Sequence, residues 1–163
     1  RALLEMNRDK TLPPDANSTM RITYGNIGGY SPKDGVTYSY RASIDGYNEK
    51  YVKDDPEFDL TPEALAAIRT GNWGRYADKD GKLYTSFACN LDITGGNSGS
   101  PVLNAKGEII GLAYDGNWES MAGDLYFHPD YNKSICVDIR FVLWILDNYA
   151  GATNILKEIS IVE

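Results

Sequence analysis

The stretch of this chain best equipped for chemistry is Thr94-Gly95-Gly96-Asn97-Ser98-Gly99-Ser100-Pro101-Val102. A serine hydroxyl is a weak nucleophile until a base takes its proton. Attack on a carbonyl also creates an oxyanion, which positioned N–H donors must meet. Glycines beside a serine permit backbone conformations closed to other residues, so amides can converge on one point. On this reading Ser98 is the nucleophile, and the backbone N–H groups of Gly96 and Ser98 form the oxyanion hole. Gly99 leaves room for the substrate carbonyl, and Pro101 starts the outgoing strand. The composition alone would favour a flexible turn. The strands expected on either side are what favour catalysis.

A base is harder to find. The chain has 1 histidine, His128, in the loop Phe127-His128-Pro129-Asp130 after the serine. A loop histidine beside proline reads as a surface residue. The chain thus offers a nucleophile without its base, and nucleophile and base act as a unit. It is expected to be inactive unless another segment supplies a histidine and an aspartate.

The elements that must position Ser98 are read from pattern and punctuation. Leu83 to Cys89 reads as a strand leading toward the serine loop. Ser100–Leu103 and Glu108–Tyr114 read as a hairpin turned by Asn104-Ala105-Lys106-Gly107. Ser134–Val137 is one more strand, and Asp138 caps an apolar helix from Ile139 to about Tyr149. Gly151 breaks that helix, and Ala152–Ile159 is expected to form a last one. Upstream, Met20–Tyr24 and Val36–Ala42 alternate in the manner of strands, with a loop over Gly25–Gly35 between them. Leu60–Gly71 is a short helix with Thr61 as N-cap, Pro62 at its first position and Gly71 past its end. Asp78-Lys79-Asp80-Gly81 reads as a turn, because the later ligands of a calcium loop are absent. Arg1–Lys10 has helical spacing and ends at Pro13-Pro14.

Composition bounds the function. The 163 residues suffice for one packed domain, and 12 tyrosines with 16 glycines suit strands and tight turns. A net charge of −7 argues against nucleic acid or anionic membrane as partner. No apolar run reaches the roughly 18 residues of a membrane span. Cys89 and Cys136 are too few for a disulfide framework or a zinc site, and their pairing stays open. No cofactor or metal is expected. Asn17-Ser18-Thr19 and Asn132-Lys133-Ser134 match the glycosylation sequon, a pattern frequent by chance. The chain begins at Arg1 without a signal peptide and is read as a piece of a longer protein.

Thr94–Val102 is similar to the serine loops of two bacterial families, the V8-type glutamyl endopeptidases and the S46 dipeptidyl-peptidases. The V8-type enzymes carry a histidine on the next strand to read the substrate glutamate. Gly111-Leu112-Ala113-Tyr114 has Ala113 there. The rest of the chain resembles the S46 family: Met20–Gly25, Gly29–Asp34, Gly74-Arg75-Tyr76, Gly111–Ser120 and Val137–Trp144.

That resemblance implies a mainly β fold, the second β-barrel of a chymotrypsin-like double barrel, with a short inserted helix and C-terminal helices. Residues 1–19 would end an upstream helical region and linker, and 20–163 would form the C-terminal part of the catalytic domain. It implies release of N-terminal dipeptides through an acyl-enzyme. The triad histidine and aspartate would come from earlier in a longer chain. Asp115 matches the family's anchor for the substrate's free α-amino group, as a carboxylate pairs with an ammonium. Asp-Gly is also a common turn pair, which is the plainer reading of Asp115. Gly116 matches the position that holds arginine in the branch preferring Asp or Glu at P1. Glycine there leaves the pocket uncharged and implies an apolar P1 side chain. The family further implies a homodimer and a periplasmic, cell-surface or secreted location. The missing barrel would leave apolar surface open to self-association. Two alternatives stand beside this reading: a V8-like glutamyl endopeptidase, and a catalytically silent peptide-binding or structural module.

Overall fold

The computed structural model describes residues 20–123 and 125–162. The helical pattern in Arg1–Lys10 and the Asn17 sequon lie outside these residues.

Two antiparallel sheets carry the fold. Strands β1 (Tyr30–Lys33) and β2 (Val36–Tyr38) form a hairpin around Gly35, whose φ of 74° suits only glycine well. The main sheet is built from β3 (Arg41–Ser43), β4 (Tyr84–Cys89), β5 (Pro101–Leu103), β6 (Ile109–Gly116) and β7 (Ser134–Asp138). Its order is β3-β4-β7-β6-β5, so β7 stands at the centre between β4 and β6, with β3 and β5 at the edges. The protein is thus mainly β, as expected. Helices α1 (Asp45–Lys50), α2 (Pro62–Arg69), α3 (Ile139–Trp144) and α4 (Thr153–Leu156) are short.

Strand periodicity explains the sheet where both neighbours are present. Along β7 the buried residues alternate as Ser134, Cys136 and Asp138. On β6, Gly111 lies under the Phe87 ring of β4, and a Cβ there would meet that ring at 2.7 Å and the Val137 carbonyl at 2.5 Å. Glycine at 111 therefore lets β6 and β4 share one packed face.

Two apolar clusters follow. Ile44, Ile68, Tyr76, Leu83, Phe141, Leu143 and Trp144 fasten the helices to one side of the sheet. Phe87, Cys89, Val102, Ala113 and Cys136 pack together on β4, β5, β6 and β7, against which the serine loop bonds. The Cys89 and Cys136 sulfurs lie 3.6 Å apart as free, buried thiols. Their mutual contact and their burial push the Cys136 thiol up from its ordinary pKa.

The expected helix at 60–71 is α2, with the Thr61 hydroxyl accepting from the Ala64 amide at 3.2 Å. Gly71 follows it at φ 65°. The Asp78–Gly81 turn and the Asn104–Gly107 hairpin turn also form, each closed by a backbone bond from its last amide to its first carbonyl. Asp138 caps α3 by accepting from the Arg140 amide at 2.9 Å, and it pairs with the Arg140 guanidinium through both carboxylate oxygens. Arg140 and Arg41 meet on Asp78, which ties α3 and β3 to the turn before β4.

Five expectations change. Met20–Tyr24 is exposed and forms no strand; the residues just after it make an isolated bridge to β4, Ile27 to Cys89. Alternation without a partner strand is no strand. Val36–Ala42 is split at Ser39-Tyr40, and its halves join different sheets. The loop expected over Gly25–Gly35 contains β1. The helix after Asp138 widens into a π-helical turn at Ile145–Tyr149, and the last helix is only Thr153–Leu156.

Candidate active site

Ser98 sits at the tip of an exposed loop between β4 and β5. Three features hold the loop. Asn97 donates its amide to the Thr94 carbonyl at 3.2 Å while its side-chain oxygen accepts from the Thr94 amide at 2.8 Å. Gly96 and Gly99 take φ values of 98° and 84°. A Cβ on either would meet open space, so conformation rather than crowding demands glycine. The loop is then bonded to β6: Gly99 donates to the Ala113 carbonyl at 2.7 Å, and Ala113 donates to the Ser100 carbonyl at 2.9 Å.

The Ser98 hydroxyl donates to the Tyr114 carbonyl at 3.4 Å. Tyr114 lies where the β6–β7 register shifts, between Ala113 and Asp115. Among the described residues, the amides of Gly96 and Ser98 donate to no protein acceptor. They are available for an incoming oxygen.

His128 is not a partner of Ser98. Its ring packs on Tyr131 at 4.7 Å between centroids, and its Nδ1 faces Asp130 at 4.0 Å. No described residue offers Ser98 a base. No cluster of metal-binding side chains exists among the described residues either.

One cavity of about 270 Å³ opens beside the serine, and Ser98, Asp115, Gly116, Ser120, Phe127 and Lys133 are among the residues that line it. The sequence-predicted residues Ser98, Asp115 and Gly116 therefore meet at one place. Asp115 is exposed, and one of its carboxylate oxygens accepts from the Gly116 amide at 2.8 Å. Both residues lie in β6 and form no turn, and the other carboxylate oxygen of Asp115 has no hydrogen-bond partner among the described residues. Lys133 is 6% exposed, and its ammonium donates to the Pro129 carbonyl at 3.0 Å.

The far wall of the cavity is built from residues of Asn117–Gly123 and Phe127–Lys133. Asn117 organises it. Its side-chain nitrogen donates to Tyr131 O at 2.7 Å and to Glu119 at 2.9 Å, and its side-chain oxygen accepts from the Lys133 amide at 2.8 Å. Tyr30 of β1 donates to Glu119 at 2.8 Å and braces the segment from outside. Trp118, Met121, Leu125 and Tyr126 stay exposed along it. Asn132 is 5% exposed, so its sequon is closed to a glycan.

Sequence reasoning missed Asn117 and Ser120. Ser120 donates its hydroxyl to the Asn117 carbonyl at 2.7 Å and lies against Gly116. The signal available was the run Asp115–Ser120 itself, whose polar residues at close spacing are turn formers.

Comparison with known proteins shows the family and the fold. A family model described as Peptidase S46 matches residues 1–161. The Asp/Glu-specific dipeptidyl-peptidase of Porphyromonas gingivalis is 47% identical over 160 residues, which is 98% of this chain and 22% of that protein. Dipeptidyl-peptidase 7 of Porphyromonas endodontalis is also 47% identical, over 158 residues, 97% of this chain and 19% of the relative. The crystal structure of Porphyromonas endodontalis DPP11 with the dipeptide Arg-Asp superposes with a TM-score of 0.87 at 43% identity, covering 98% of this chain and 23% of that one. The chain thus spans about a fifth of the length of these curated relatives.

Proposed function

This chain belongs to the peptidase S46 family, and from that premise we propose that it supplies the nucleophile and the substrate pocket of a serine dipeptidyl-peptidase. The observation that carries the proposal is the meeting of Ser98, Asp115 and Gly116 on one cavity of about 270 Å³. Ser98 attacks the scissile carbonyl. The free Gly96 and Ser98 amides receive the oxyanion. The second carboxylate oxygen of Asp115 pairs with the substrate's α-ammonium, which fixes the cut two residues from the N-terminus. The relatives' names, both dipeptidyl-peptidases, support this over an endopeptidase.

The histidine that activates Ser98, and the aspartate that orients it, come in this proposal from a further part of a longer polypeptide. The relatives' greater length and the absence of a base beside Ser98 among the described residues support this. The exposed apolar rim of Trp118, Met121, Leu125 and Tyr126 supports a further body closing over the cleft. An exported location, as the family implies, belongs to the same proposal; no helix among the described residues is long and apolar enough to cross a membrane.

Gly116 favours an uncharged, apolar P1 side chain, because it puts no charge into the pocket. One relative is named Asp/Glu-specific, which supports the opposite preference. An acidic P1 is the second reading, and buried Lys133 favours it: the residue lines the cavity, and its ammonium bonds only the Pro129 carbonyl among the described residues.

The test is product analysis with the full-length protein that carries this segment. It should release dipeptides, leucyl at P1 ahead of glutamyl, and Ser98→Ala should remove at least about a thousandfold of the rate. Retained activity in Ser98→Ala overturns the nucleophile, and preferred release of glutamyl dipeptides overturns the P1 assignment. The 163-residue chain alone should release none; Ser98-dependent release from it overturns the need for another segment.

A further inference from the structure

Gly116 and Ser120 are coupled in a way the backbone does not require. Gly116 lies at the end of β6 and is absent from the glycines with positive φ, so any residue could adopt its conformation. What excludes a side chain is one atom. A Cβ at 116 would run into the Ser120 hydroxyl, while the next nearest atoms, Ser120 Cβ and Lys133 O, would stand at 3.5 and 3.7 Å, ordinary contact distances. The hydroxyl is not free to swing away without loss. It donates to the Asn117 carbonyl at 2.7 Å, and that carbonyl also accepts the Ser120 amide at 3.0 Å. Ser120 is only partly buried, and it lines the same cavity as Ser98 and Gly116.

We propose that Ser120 is a second specificity-determining residue: its hydroxyl holds the space into which a side chain at 116 must grow, so 116 and 120 set the P1 pocket as a pair. The inference rests on the dipeptidyl-peptidase reading and on Gly116 facing P1. With serine at 120, position 116 stays bare and the pocket accepts an apolar side chain. A residue without a hydroxyl at 120 is the condition for a long cation at 116 to enter and pair with a carboxylate. Serine to glycine alone also deepens the pocket.

The experiment uses four forms of the full-length protein: wild type, Gly116→Arg, Ser120→Gly and the double variant. Each is assayed for kcat/KM on dipeptidyl substrates with Glu, Leu, Phe or Ala at P1. Gly116→Arg alone should raise the Glu-to-Leu ratio less than about threefold. The double variant should raise it about tenfold or more beyond that, the scale of one charge-assisted hydrogen bond. Ser120→Gly alone should move the Phe-to-Ala ratio about threefold toward Phe. Thermal melts of Gly116→Ala, made in the wild-type background and again in the Ser120→Gly background, form a double-mutant cycle. Alanine at 116 should lower Tm in the wild-type background and leave it unchanged in the Ser120→Gly background, which decides the point even where the arginine variant fails to fold.

Equal ratios in Gly116→Arg and the double variant, or an equal Tm loss in both backgrounds, overturn the pairing. Wild-type protein that releases no dipeptide, or releases it independently of Ser98, sinks the underlying activity instead, while the Tm cycle still reports on the pair.

Discussion

The two walls of the cavity are built by different means. The serine loop is a backbone device: Gly96 and Gly99 at positive φ, and main-chain bonds from Gly99 and Ala113 that fasten it to β6. The opposite wall, Asn117–Gly123 with Phe127–Lys133, has main-chain bonds too but adds a network of side-chain bonds. Asn117, Ser120, Glu119 and Tyr30 hold it through bonds that reach across 2 to 89 residues. On the proposed reading, the chemistry rests on geometry that few substitutions can reproduce, and the selectivity rests on side chains that can be exchanged. This difference teaches how one scaffold can keep its reaction and change its substrate.

Gly99→Ala should show the largest effect, since φ 84° strains any other residue while its Cβ would meet open space. The strain is of order 1–3 kcal/mol. Relaxing it would displace Ser98, so kcat of the full-length protein should fall about tenfold or more, with a modest loss of Tm. Unchanged kcat would break the claim that the backbone sets the nucleophile.

Asn117→Ala comes next. It removes three bonds that shape the pocket wall and should cost about 1–3 kcal/mol of stability. KM for dipeptidyl substrates should rise several-fold while kcat holds to within about twofold. A fall in kcat matching that of Gly99→Ala would erase the division between the walls.

The smallest effect lies away from both. Asp78 is held below the ordinary carboxylate pKa first by the Lys79 amide, then by Arg41 and Arg140, against the cost of burial. A depressed folded pKa gives stability that is complete above about pH 4 and lost as pH falls through the lowered value. The Tm of wild type should therefore drop more steeply between about pH 4 and 2 than that of Asp78→Asn. Parallel curves would show that the link between β3 and α3 carries no net stability.

The same division explains what could be read in the sequence. Ser98, its glycines and the Asn104–Gly107 turn were legible because local conformation alone demands those residue types. Helix α2 was legible from its own caps, Thr61, Pro62 and Gly71. Strand β1 was hidden, because its pairing with β2 depends on Gly35 and not on a strong apolar pattern. Met20–Tyr24 misled for the converse reason, a pattern without a neighbour. Ser120 was invisible as a neighbour of Gly116 because the contact exists only once the turn at Asn117 has folded back onto β6. The Cys89–Cys136 contact likewise needed the β4–β7 register, in which Cys136 opposes Phe87 and Cys89 opposes Ser134.

The central claim is that Ser98 works at a fixed distance from an anchor for a free N-terminus. Its most direct test is the cleavage of one peptide with its α-amine free and with the same amine acetylated, by the full-length protein carrying this segment. The account predicts dipeptide release from the free peptide and about a hundredfold less cleavage of the acetylated one, since acetylation removes the ammonium and with it the charge-assisted bond to Asp115. Cleavage of the acetylated peptide at the same bond and a similar rate would contradict it and mark the protein as an endopeptidase.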